Sequence, residues 1–209
     1  MTRNRILKPI VFIAALLPLA QLVLAQFTTG LGANPVEVMT HRTGLTALVL
    51  LFITLAITPL RKLTGLFWLV QYRRMLGLFA FFYAVLHFLI YAVLDQSLDL
   101  SSVLKDVYKR PFITVGFLAF LLLIPLAITS TKGWIRRLGK RWQLLHRLIY
   151  VSAIAGALHF IWLVKRDKQE PLTYAAVLAV LLGYRVVVYF MARQASPARR
   201  ATAQASTAD

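Results

Sequence analysis

Residues 84–93 read AVLHFLIYAV, a run suited to lipid tails with a histidine at its centre. A membrane helix takes about 20 mostly apolar residues, and this run belongs to one of six such stretches, at 9–26, 44–60, 75–95, 111–130, 146–164 and 172–191. Of the 209 residues, 59% are hydrophobic and 12% aromatic, more than a soluble domain of that length can bury. The fold class expected is therefore all-α: a polytopic membrane bundle of six transmembrane helices. Pro111 and Pro171 stand where helices begin, and Pro18 and Pro125 fall inside spans, where they kink them.

The net charge of +17 calls for an acidic partner until its placement is traced. With both termini cytoplasmic, the inner segments hold fifteen of the 24 basic residues: Arg3, Arg5, Lys8; Arg61, Lys62, Arg73, Arg74; Lys132, Arg136, Arg137, Lys140, Arg141; Arg193, Arg199, Arg200. Glu37, Asp95, Asp99, Asp106, Asp167 and Glu170 all fall in the outer loops. That asymmetry is the positive-inside pattern of an even number of spans. The charge thus reports topology and contact with membrane lipid, and no nucleic acid is expected.

Arg3, Arg5 and Lys8 ahead of an apolar run also fit a cleavable signal peptide, but the even helix count favours a retained first span. The chain has no cysteine, which excludes disulfides, protein-ligated iron–sulfur clusters and covalent c-type haem. Neither G-x-G-x-x-G nor a Walker A pattern occurs. Residues 1–191 are read as a single transmembrane domain and 192–209, ending ATAQASTAD, as a disordered cytoplasmic tail.

The histidines sort by depth. The triplet Leu86-His87-Phe88 returns as Leu158-His159-Phe160 in the fifth span, which runs in the same direction as the third. At 1.5 Å per residue, His87 lies roughly 18 Å and His159 roughly 20 Å from the cytoplasmic end. The two share a level, and on residues alone three readings stay open: bis-histidine ligation of haem iron, proton or metal-ion transport, and interhelical hydrogen bonding. Ala80, Ala84 and Tyr91 share the face of His87, and Ser152, Ala155 and Gly156 that of His159. Such small residues leave room for a macrocycle or serve close helix packing. Likeness between the two spans is confined to the triplet, and no internal duplication is expected. His146, at the inner end of the fifth span, is either solvated, bound to a second haem with a non-histidine partner, or set beside a flavin phosphate. His41, in THRTG, reads as a loop histidine or a quinone or partner contact. Arg185 either snorkels to the headgroups or pairs with a haem propionate.

Longer stretches carry a resemblance: HRTGLTALVLLFITLAITPLR, RRMLGLFAFFYAVLHFLIY and RPFITVGFLAFLLLIPLAITSTKGWIRRLGKRWQLLHRLIYVSAIAGALHFIW. Over about 32–189 the chain resembles the ferric-reductase-like transmembrane family, and within it the haem-binding membrane subunits of bacterial periplasmic methionine sulfoxide reductases. The resemblance implies a cytochrome-b-type conduit in the bacterial inner membrane, without a substrate-reducing site of its own. It implies haem b with His87 and His159 as axial ligands of the iron, His146 as a further haem-associated residue, and FMN. Electrons would come from the quinol pool or a cytoplasmic flavin reductase and pass to MsrP, a periplasmic molybdoenzyme that repairs oxidised methionine. The larger relatives use two histidine pairs, and this chain has no fourth histidine at the level of His146.

Overall fold

A computed structural model describes the backbone of residues 2–205 and the side chains of residues 6–194. Among them there is no strand, and the α-helices are α1 (Thr2–Phe27), α2 (Pro35–Thr64), α3 (Val70–Ile90), α4 (Leu100–Lys109), α5 (Pro111–Ile128), α6 (Lys132–Leu138), α7 (Lys140–Leu145), α8 (Leu148–Leu163) and α9 (Gln169–Ala205), with a 3-10 turn (Phe67–Leu69) before α3 and a π turn (Tyr91–Asp95) after it. Six segments are long and apolar enough to cross a membrane, Ile6–Phe27, Pro35–Thr64, Phe67–Asp95, Pro111–Ile128, Lys140–Leu163 and Gln169–Gln194. The expected six-span bundle is the observed one, and the protein is a multi-pass membrane protein.

The second span begins nine residues before its expected start at 44. Asn34 accepts the Glu37 N–H (3.3 Å) and donates back to the Glu37 carboxylate (3.0 Å), while Pro35 takes the first helical position. This reciprocal cap starts α2 in a polar stretch that hydropathy passes over. His41 consequently stands on a helix, which corrects its reading as a loop residue. The segments at 96–110 and 131–145 also fold, into α4 and into α6 and α7. The tail expected over 192–209 falls partly on α9, whose backbone stays helical to Ala205, and residues 206–209 lie outside the described residues.

The most extensive pairings are α2 with α3 and α5 with α8, each an antiparallel hairpin. Where they meet, Leu55, Ala80 and Ala153 have no exposed surface and Ser152 has 1%. Ser152 donates to the Ala119 carbonyl (2.9 Å), and a Cβ on Gly156 would touch Leu48 at 3.4 Å. These small residues let the helices approach closely, as in other membrane bundles.

Two side chains, buried Tyr83 and half-buried Arg185, serve helix positions that prolines disturb. Pro18 lacks an N–H and interrupts the α1 ladder. There the Tyr83 hydroxyl accepts the Leu19 N–H (3.1 Å) and donates to the Ala15 carbonyl (2.8 Å), tying α1 to α3. Pro59 deprives the Leu55 carbonyl of its partner, and Arg185 of α9 donates to that carbonyl and to Leu181 (2.6 Å), its guanidinium 5.5 Å from the Tyr150 ring centre. Arg185 is therefore turned into the bundle, where carbonyls satisfy a charge that lipid could not.

Candidate metal centre

The structure brings His87 and His159 together. Their ring centres are 6.1 Å apart and their planes cross at 80°. Both are partly buried, late in the parallel helices α3 and α8, and the common level read from residue counts holds.

Each ring is aimed by a helix other than its own. His87 Nδ1 lies 2.8 Å from the Thr40 carbonyl of α2, and His159 Nδ1 2.7 Å from the Phe112 carbonyl of α5. A carbonyl oxygen only accepts, so each Nδ1 carries the proton and donates it. Each Nε2 then keeps its lone pair as the open donor, the tautomer in which metal-binding histidines are held.

The two anchors repeat one design. A Cβ built on Gly44 would come within 2.8 Å of His87 Nδ1 and 2.9 Å of its Cε1, and one on Gly116 within 2.6 Å and 2.9 Å of the same atoms of His159. Carbonyl, glycine and histidine recur 72 residues apart: 40 and 112, 44 and 116, 87 and 159. The hairpins α2–α3 and α5–α8 are thus structural repeats, contrary to the expectation that likeness ends at the triplet. Gly44, Gly116 and the two carbonyls were missed in the sequence. The equal glycine-to-histidine spacing, from Gly44 to His87 and from Gly116 to His159, was the signal that would have found them.

His146 does not join the pair. It caps α7, its Nε2 is 3.1 Å from Thr129 Oγ1, and the Trp142 ring centre is 4.0 Å from its own, with Arg73 within electrostatic reach. His41 is exposed, 5.8 Å from the Phe160 ring. Among the described residues no three histidine, cysteine or acidic side chains converge, so no third side chain of those types joins the pair. A separate cleft of about 630 Å³ opens between α1 and α3, walled by Phe12, Leu16, Leu78 and Phe82 with Lys8 and Arg74, and contains none of the histidines.

The model of the family described as "Ferric reductase like transmembrane component" matches residues 43–157. The chain is 52% identical over 205 residues to the protein-methionine-sulfoxide reductase heme-binding subunit MsrQ of Herminiimonas arsenicoxydans, covering 97% of this chain and 94% of that one. It is 56% identical over 179 residues to the MsrQ of Ralstonia nicotianae (84% and 82%) and 52% identical over 206 residues to that of Xanthomonas axonopodis pv. citri (96% and 94%). No solved structure matches it. With more than half of its length matched by the family and nearly all of it by these relatives, the chain belongs to the ferric-reductase-like transmembrane family, as a membrane redox subunit of the MsrQ type.

Proposed function

We propose that this protein holds haem b between α3 and α8, with His87 and His159 as axial ligands, and carries electrons through the inner membrane to a periplasmic molybdenum-containing methionine sulfoxide reductase, MsrP. The observation that carries the reading is the spacing of the two rings. A metal–imidazole bond is about 2 Å and the nitrogen lies about 1 Å from its ring centre, so a linear nitrogen–metal–nitrogen unit sets the centres about 6 Å apart. The pair stands at 6.1 Å. Two imidazoles joined, among the described residues, by no third histidine, cysteine or acidic side chain fit a metal that brings its own further donors, as porphyrin iron does. The relatives' name, heme-binding subunit, agrees with this choice.

When bound, haem supplies one-electron exchange between ferric and ferrous iron. His87 and His159 would hold the haem, and with an imidazole on each side neither oxygen nor substrate would find an open site. The Thr40 and Phe112 carbonyls keep each Nδ1 protonated and each Nε2 free. Placing the basic end in the cytoplasm sets the pair in the outer half, near the acidic loops, where a periplasmic acceptor would dock. The donor we assign is a quinol, an amphiphile suited to the aromatic cleft between α1 and α3 with its cationic edge; a cytoplasmic flavin reductase is the other donor the family resemblance implies. His146 remains a haem-associated residue by resemblance, at the opposite end of α8.

The test is the reduced-minus-oxidised optical spectrum of the purified protein. Sharp b-type bands in the wild type, lost in both His87→Ala and His159→Ala, are expected. A colourless wild type after haem-supplemented expression would remove electron transfer and leave the pair to proton or metal-ion transport.

A further inference from the structure

We propose that Gly44 and Gly116 are positioning residues of this centre: each lets one imidazole lie against the neighbouring helix, and together they hold the two ring planes close to perpendicular. The inference rests on His87 and His159 as the iron's ligands, and goes beyond that in saying what sets their orientation.

In an α-helix the Cα–Cβ bond tilts toward the N-terminus, so the side chain at i+4 stands beside the carbonyl of residue i. A donor approaching that carbonyl from a neighbouring helix must pass this side chain. His87 reaches Thr40 past position 44, and His159 reaches Phe112 past position 116. Both positions are glycine, and a Cβ at either would sit under 3.0 Å from the ring. The rings cannot yield cheaply, because turning away breaks the Nδ1–H bond that aims them. Other helical glycines lack this role: a Cβ on Gly77 meets only a methyl of Thr54 at 3.7 Å, and one on Gly183 meets nothing within 4 Å.

The ring planes matter to the iron. Crossed imidazoles act on different members of the iron's pair of dπ orbitals and leave the two close in energy. Parallel imidazoles act on the same one and split the pair. Planes at 80° therefore call for a strongly anisotropic ferric low-spin signal, with one far low-field line in place of three resolved ones.

The experiment is electron paramagnetic resonance of the oxidised holoprotein with a potentiometric titration, on the wild type, Gly44→Ala, Gly116→Ala and Gly183→Ala. The wild type and Gly183→Ala should share the far low-field line. Gly44→Ala and Gly116→Ala should keep b-type optical bands while the line moves and the midpoint potential shifts. Both alanine variants with the wild-type line and potential would overturn the proposal. Should alanine expel the haem, the His87→Gly background supplied with free imidazole separates ring clash from general damage. There the untethered ligand can shift, so adding Gly44→Ala should leave haem uptake unchanged; uptake lost only in the double variant would overturn the proposal. A wild-type spectrum in His87→Ala or His159→Ala would instead remove the ligation reading beneath it.

Discussion

Arg185 donates to the carbonyl of Leu55, the one carbonyl of α2 that Pro59 leaves without its helical partner. The arginine completes a neighbour's backbone, so its loss exposes a buried acceptor. Arg185→Met should cost about 1–3 kcal/mol. Pro59→Ala restores the missing N–H and should make part of that loss disappear, a coupling of about 0.5 kcal/mol or more in a double-mutant cycle read from detergent melts. Strict additivity would show that the arginine acts elsewhere.

Tyr83 is 1% exposed, and its hydroxyl closes the gap at Pro18 with one accepted and one donated bond. Tyr83→Phe keeps the ring and strands Leu19 N–H and Ala15 C=O together, at a cost of about 1–3 kcal/mol. The loss should localise to α1, as faster amide exchange at Leu19 with α5 and α8 unchanged. Uniform exchange along the chain would refute the staple.

Asp99 caps α4, and the hydroxyls of Ser102 and Ser101 with the Ser101 N–H hold its carboxyl down at about 2 from an ordinary 3.8. A depressed carboxyl stabilises above its unfolded value and stops doing so as pH falls through the folded one. Protection of the first α4 amides should thus be steady above about pH 4 and fade from there toward pH 2. Asp99→Asn should flatten that profile, and an unchanged profile would mean the cap does not titrate.

His146 lies 13 residues before His159 in the same membrane span, roughly 20 Å away. His146→Ala should leave the electron paramagnetic resonance line of the His87–His159 centre in place, whatever happens to any second signal. Disappearance of every haem signal would tie His146 to the first centre.

Phe12 and Phe82 wall the cleft assigned to the quinol. Filling it with Phe82→Trp should slow reduction by a quinol analogue several-fold while reduction by dithionite, which needs no site, stays at the wild-type rate. Equal slowing of both would place the defect at the haem.

Six spans and the shared depth of His87 and His159 were readable because hydropathy and rise per residue are local quantities. The start of α2 was not, since the Asn34–Glu37 cap lies in a polar stretch that a hydropathy window averages away. The histidines' acceptors were hidden for a different reason. A backbone carbonyl has no letter, and the equal spacing from Gly44 to His87 and from Gly116 to His159 gains its meaning only once a ring is seen lying across each glycine.

Because each imidazole is aimed by a peptide group, the aiming bond itself does not depend on which side chain stands at the anchoring position. Threonine stands at 40 and phenylalanine at 112, chemically unlike residues performing one task. The steric constraint stands four residues along, at the two places where nothing can be added. Related chains should therefore vary freely at the anchors and keep glycine beside them, leaving a trace of the centre in what evolution omits.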